Sequence, residues 1–390
     1  MKTICLLAMS IATTVLGAMT PAAADEKAMT ADGAPAGFQP TPGMITMGAL
    51  GRAGLLEPLF SDELQGLQQA RIGASRTNVN YGKNLPAGTA QPAYKDDDIA
   101  YIPSVSVMKE LPGSGGANFL RFTWSGTWGD GSNRVPLEND GTISRASAFF
   151  LHAPDPGTIY GIGLTYENSS IKNIFNADTL GSRGKTTREA WGGQIVYGHD
   201  FAGPWAIAAK GEYQKGTTNF YLTQFIAPGV SIPINTLNQG DDRLYLETQL
   251  IGTFEDDNAW VPAGWVVHPV VGATFQRNFI QQVTNTAGAA TSGAVGRGES
   301  YGLLLAKVGI EKAALPSPDW QFLPRASVGL QQEYVNDLDG YLRDRTYATG
   351  SVGFGIMKAG QRLDMQYTIY QGMSGKRRQQ ALSAVLSFNF

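Results

Sequence analysis

The chain has 390 residues and a formal net charge of −3, from 30 Lys or Arg and 33 Asp or Glu. This balance, without a long block of like charge, excludes the strongly basic surface typical of proteins that bind nucleic acid. The single cysteine, Cys5, lies near the N-terminus, so disulfide and thiol chemistry are excluded from the remainder of the chain.

Residues 1–24 have the organisation of a secretory signal peptide. Lys2 supplies the positive n-region, residues 4–19 form the apolar core, and Ala22, Ala23 and Ala24 form a small-residue cleavage site. We therefore predict export, with a mature chain that begins at Asp25. A mature chain of roughly 365 residues suffices for two or three soluble domains or for one large barrel.

Residues 25–97 form a low-complexity N-terminal segment, and residues 28–51 keep no apolar period, which favours an extended or disordered chain. Residues 55–75 differ, because Ser61 stands where a helix N-cap would and apolar residues recur around it. These apolar residues are Leu59, Phe60, Leu64, Leu67 and Ile72. The pattern predicts one short helix, either a plug in a barrel lumen or a loosely attached periplasmic or surface helix.

From residue 118 onwards, apolar and polar residues alternate with a period of two. Around Leu164, for example, the apolar Tyr160, Ile162 and Tyr166 lie at even positions, and Thr165 and Glu167 lie at odd positions. A period of two places the two sets on opposite faces of a strand. We count about twelve such strands. Residues 99–108 are also strand-like, and wall strands contributed by this region and its upstream neighbours would give the alternative count of fourteen.

The connections between these strands alternate between a short set and a mostly long set. Short connections occur near residues 153–157 and 200–204, and long ones near 169–188 and 216–240. This asymmetry is typical of outer-membrane barrels, which have short periplasmic turns and long external loops. Residues 98–390 are therefore predicted to form a single antiparallel transmembrane β-barrel, and an even strand number would place both ends in the periplasm.

Four tryptophans lie at the short connections, as an interfacial aromatic girdle would. They are Trp205, Trp260, Trp265 and Trp320. The final strand, residues 382–390, alternates back from a terminal phenylalanine, which is similar to the recognition signal of outer-membrane barrels for their assembly machinery. We assign that signal to Phe390, Phe388 and Leu386, and we expect the assembly machinery, outer-membrane lipid and lipopolysaccharide as partners.

The last 270 or so residues resemble the translocator domain of autotransporters. The residues that carry the resemblance are the Gly-aromatic strand 159–166, the strand 268–273 and the terminal segment 387–390. The resemblance implies a twelve-stranded barrel with a helix through its pore. That family exports a long passenger, whereas fewer than about 95 mature residues precede the first clear strand here.

The inward positions of the predicted strands carry charges of both signs. Those assigned to the lumen are Arg121, Lys210, Glu212, Arg243, Glu247, Arg325, Glu333, Arg362 and Asp364. Mixed charge favours paired networks that brace the wall or hold a plug, rather than an ion-selective open pore.

No motif predicts a catalytic, cofactor or metal site. His152, His199 and His268 lie on separate strands without ligand spacing. We therefore predict a non-enzymatic outer-membrane protein without cofactor, either an autotransporter-like translocator or a structural surface protein. The alternative is a porin-like channel for small solutes, and a membrane enzyme with its site at one rim is a third hypothesis.

Overall fold

The computed structural model describes the chain over a set of ranges with gaps between them. These are residues 64–66, 68–69, 96–130, 137–155, 157–175, 183–201, 203–255, 258–291, 298–313, 319–337, 344–358, 361–375 and 377–389. The predicted signal peptide, residues 1–24, and most of the N-terminal segment lie outside these ranges. Among the described residues, no helical stretch is long and apolar enough to cross a membrane.

Fifteen strands form in the described ranges. They are β1 Asp96–Glu110, β2 Asn118–Asp130, β3 Leu137–Asp155, β4 Thr158–Phe175, β5 Arg183–Asp200, β6 Trp205–Ala227, β7 Val230–Gly252, β8 Trp265–Ile280, β9 Val283–Thr284, β10 Ala290–Thr291, β11 Gly298–Lys312, β12 Gln321–Asn336, β13 Thr346–Lys358, β14 Gln361–Gly372 and β15 Arg377–Asn389. All except the short β9–β10 pair belong to one closed barrel, in which each strand lies beside its neighbour in sequence. The predicted fold class is therefore confirmed.

The barrel closes where β1 meets the last strand, and this seam is parallel. Strand β1 pairs antiparallel with β2 but runs parallel to β15, from Asp96 opposite Arg377 to Met108 opposite Asn389. The described wall has 13 strands, between the predicted counts of 12 and 14. The extra strand is the strand-like segment 99–108, and an odd number places the start of β1 and the end of β15 at opposite rims.

We call the two rims of the barrel the turn rim and the loop rim. The turn rim holds the connections at residues 111–117, 156–157, 201–204, 253–264, 313–320 and 359–360. The loop rim holds the other connections. At the turn rim, residues 113, 115 and 116 are glycines with φ of 75°, 59° and 81°, which lets β1 reverse tightly into β2.

Both of the predicted long connections lie largely in the wall: within residues 169–188, β4 extends to Phe175 and β5 begins at Arg183. Residues 216–240 continue β6 and β7 as a paired hairpin whose last pair is Ala227 opposite Val230. Each of these strands has 23 residues, about twice the 9–11 that cross a bilayer. The alternation of apolar residues does not reveal such an extension, because a strand beyond the membrane needs hydrogen-bonded partners but no lipid-facing side.

The two faces of the wall differ sharply in polarity. On β4, Ile162 is 65% exposed and Leu164 is 70% exposed, whereas Thr165 is 1% and Glu167 is 2% exposed. Val328 on β12 is 69% exposed, like the apolar residues of β4. An apolar outside around a polar interior is the architecture of an outer-membrane barrel, since lipid faces one side and the lumen the other.

Candidate functional site: the barrel lumen

A buried carboxylate on β4 organises the charges of one half of the lumen. Glu167 lies 2.7 Å from Arg188, 3.1 Å from Arg243 and 3.6 Å from Arg145, measured between carboxylate oxygens and guanidinium nitrogens. These arginine side chains are each about 5% exposed. They come from β3, β5 and β7, so a single glutamate links four strands of the wall.

The network continues to two more carboxylates. Arg145 also pairs with Glu212 on β6, and Arg188 Nε lies 3.3 Å from Asp241 Oδ2 on β7. Three arginines thus face three carboxylates, which we call the Glu167 network. Desolvating a charge costs several kcal/mol unless partners compensate it, and here the compensation comes from the wall itself.

A short helical segment lies inside the lumen beside this network. The carboxamide of Gln65 donates to Glu212 Oε1 at 3.2 Å and accepts from Lys210 Nζ at 3.2 Å. Gln68 accepts from the Thr274 hydroxyl at 2.9 Å, and Gln69 donates to Gln276. Among its described residues, 64–66 and 68–69, the segment has no charged side chain and bonds to the wall through carboxamides.

The same segment also touches the opposite part of the wall. A Cβ added to Gly66 would lie 3.0 Å from Thr127 Oγ1 on β2, across the lumen from β8. Leu64 packs against an apolar cluster near the turn rim that includes Met108, Leu151 and Ile159. The described helical residues therefore contact two opposite parts of the wall, and their role as a plug stays a prediction.

The other half of the lumen contains two further polar clusters. Glu333 accepts hydrogen bonds from Tyr301, Tyr347 and Asn336 at 2.7, 3.1 and 2.8 Å, and Arg377 lies 3.7 Å away. These groups brace β11, β12, β13 and β15 together.

The second cluster lies near the turn rim. Asp364 pairs with Arg325 at 3.1 Å and with Arg362 at 2.8 Å. Arg362 in turn reaches Glu311 at 3.9 Å, and Glu311 lies 3.5 Å from His268. The cluster therefore joins β8, β11, β12 and β14 through alternating charges.

The nine charges assigned to the lumen are all buried or half-buried. Arg243 and Glu212 belong to the Glu167 network, Lys210 contacts the helical segment, and Glu333, Arg325, Arg362 and Asp364 lie in the two clusters of the other half. Glu247 accepts from Tyr245 at 2.6 Å, and Arg121 is 9% exposed.

The sequence prediction missed the centre of the network. Glu167 stood at an inward position of the alternation and could have been found. Arg145 lies in a strand with weak alternation, and Arg188 lies in a stretch interpreted as a loop.

The four tryptophans lie at one rim. Trp205 begins β6, Trp265 begins β8, Trp320 precedes β12, and Trp260 lies in the turn between β7 and β8. Trp260 and Trp320 are 59% and 63% exposed. Their role as a girdle stays a prediction.

The assembly signal also stays a prediction. Leu386 is half-buried and Phe388 is 7% exposed, and Phe390 lies outside the described residues.

The three histidines make separate local contacts. His152 Nδ1 lies 2.7 Å from Asn118 Oδ1, and His199 Nδ1 lies 2.9 Å from Thr158 Oγ1. His268 faces Glu311. Within the described ranges, no three His, Cys, Asp or Glu residues are grouped in a way that could hold a metal ion.

Comparison with known proteins gives similarities of shape. No protein-family model matches the chain, and no curated protein sequence matches it. The translocator domain of the autotransporter NalP from Neisseria meningitidis is similar with 11% identity and a TM-score of 0.45, over 84% of this chain and 94% of that one. The beta domain of the Bordetella autotransporter Brka gives 14% and 0.43, over 66% and 92%.

A channel gives a similar result. The monoaromatic hydrocarbon channel TodX is similar with 10% identity and a TM-score of 0.39, over 71% of this chain and 82% of that one. Structural similarities this low do not support a conclusion about function. The proposed function is therefore argued from the residues of the lumen.

Proposed function

We propose that this chain is an outer-membrane barrel whose lumen is closed by its own N-terminal helical segment, and that it serves as an autotransporter-like translocator or structural surface protein rather than an enzyme. The observation that carries the proposal is the bridge across the lumen. Gln68 bonds to Thr274 of β8, while Gly66 lies against Thr127 of β2, six strands away around the wall. A closed lumen suits a wall that anchors or passes polypeptide, and it opposes free diffusion of solutes.

Conductance in planar bilayers tests this function. The full-length mature chain should show little stable conductance, and a variant lacking residues 25–95, which keeps all of β1, should conduct strongly. Heat-modifiable mobility on gels serves as the control that the truncated barrel is folded. Equal conductance of the two folded proteins would overturn the closed-lumen function.

The alternative function, a small-solute channel, is favoured by one feature of the lumen. The Glu167 network pairs its own charges, so the wall does not depend on the helical segment to compensate them. A large, stable conductance of the full-length protein would support this alternative.

We also propose lipopolysaccharide and the barrel assembly machinery as partners. The argument for the machinery is the alternation of the final strand up to Phe390. Deleting Phe390 should lower the amount of heat-modifiable protein in the outer membrane. Deleting a residue of the exposed turn before β15, such as Ser374, provides the comparison. Unchanged amounts after loss of Phe390 would remove the argument for recognition.

A further inference from the structure

The first strand begins at the loop rim. Asp96 lies opposite Arg377, which directly follows the loop-rim connection between β14 and β15. Ile99 lies opposite Asp130, the loop-rim end of β2. The chain that leads into β1 must therefore arrive at the loop rim.

The helical segment runs in the direction that leads there. Leu64 packs against the apolar cluster that surrounds the turn rim. Gln68 and Gln69 reach Thr274 and Gln276 on β8, and β8 runs from Trp265 at the turn rim to Ile280 at the loop rim. A helix advances about 1.5 Å per residue, so successive residues from 64 to 69 move away from the turn rim.

We propose that the N-terminal chain threads the barrel from the turn rim to the loop rim before it enters the wall as β1. The proposal rests on the closed lumen of the proposed function and adds its direction. With short turns in the periplasm, this direction puts the Leu64 end of the helical segment on the periplasmic side and the start of β1, at Asp96, on the cell-surface side. A passenger upstream of the helix would remain periplasmic, so threading in this direction favours the structural surface protein over the passenger translocator within the proposed function.

Single-cysteine labelling tests the direction, because Cys5 lies in the predicted signal peptide and the rest of the chain has no cysteine. Thr46→Cys probes the chain before the helix, and Ser75→Cys probes the chain after it. Two exposed positions mark the rims: Ala259→Cys in a turn-rim connection and Ser374→Cys in a loop-rim connection. The probe is a membrane-impermeant maleimide, applied to intact cells and to cells with a permeabilised outer membrane.

Ser75→Cys should be labelled on intact cells, as Ser374→Cys is. Thr46→Cys should be labelled only after permeabilisation, as Ala259→Cys is. Labelling of positions 46 and 75 from the same side would overturn threading. Labelling of position 46 on intact cells, as for position 374, would overturn the proposed direction of threading. If Ser75→Cys reacts with the maleimide only after the protein is denatured, this would also contradict the proposal. These outcomes are independent of conductance: truncation can open the pore even if the two positions share a side.

Discussion

The lumen contains two kinds of contact that differ in chemistry. Within the wall, buried charges pair with each other, as Glu167 does with three arginines. Between the wall and the helical segment, the contacts run through glutamine carboxamides, as at Gln65 and Gln68. The wall and the helical segment are thus stabilised by different kinds of contact. The wall is braced strand to strand, and the segment lies in a lumen whose main charge network is complete without it.

The energies of the two kinds of contact are unequal. Breaking a buried ion pair by removing one partner costs about 3–5 kcal/mol, because the other charge is left uncompensated. A hydrogen bond between neutral groups, such as that of Gln68 with Thr274, contributes about 0.5–1.5 kcal/mol net. A hydrogen bond to a charged group, such as those of Gln65 with Glu212 and Lys210, contributes about 1.5–3 kcal/mol. The comparison therefore predicts that wall variants change the stability of the barrel, whereas variants of the helical contacts change how often the lumen is open.

The largest effect should come from the centre of the wall network. Glu167→Ala leaves three buried arginines with less compensation, so we expect the free energy of unfolding to fall by about 3–5 kcal/mol. Urea-induced unfolding in liposomes or detergent micelles measures it. Glu189→Ala is the matched control, since this carboxylate is exposed on β5 and accepts a single long hydrogen bond from Tyr166 at 3.3 Å. Equal, small effects of both variants would show that the network does not brace the wall.

The sequence predicts which side of the wall a charged residue faces, but it does not predict which residue it pairs with. Alternation assigned Glu212 and Arg243 to the lumen, because a period of two fixes the side of the wall. It could not assign their partners. Arg145 and Glu212 are 67 positions apart in the chain and on strands that are not neighbours, so the pair exists only in the closed barrel.

The strand count and the seam were harder to predict for a local reason. Strand β1 contains Pro103, which cannot donate a ladder hydrogen bond and argues against a central strand. The structure nevertheless places β1 between β2 and β15. The helical segment was predicted from Ser61 and its apolar stripe, of which Leu64 packs against the wall. Its polar contacts use glutamines, whose sequence pattern does not indicate a partner.

An intermediate effect should follow from crowding the helix against the wall. In Gly66→Val, the new side chain meets Thr127 Oγ1, at 3.0 Å from its Cβ position. Overpacking costs about 1–3 kcal/mol, so the open state of the lumen should become about 5–150-fold more populated. Single-channel recording measures that population. The double variant Gly66→Val/Thr127→Ala removes the clashing hydroxyl and should restore closure, and failure of this rescue would place the helix away from β2.

The smallest effect isolates one hydrogen bond between wall and helix. Thr274→Val keeps the shape of the side chain and removes the hydroxyl that donates to Gln68 Oε1 at 2.9 Å. Loss of about 1 kcal/mol from the closed state alone raises the ratio of open to closed lumen roughly fivefold. The matched control is Thr165→Val, whose hydroxyl accepts from Ser147 within the wall at 3.3 Å. This control should leave the ratio unchanged while lowering the free energy of unfolding by a similar amount. If both variants shift the open ratio equally, wall and plug are one cooperative unit, and the distinction between their contacts is wrong.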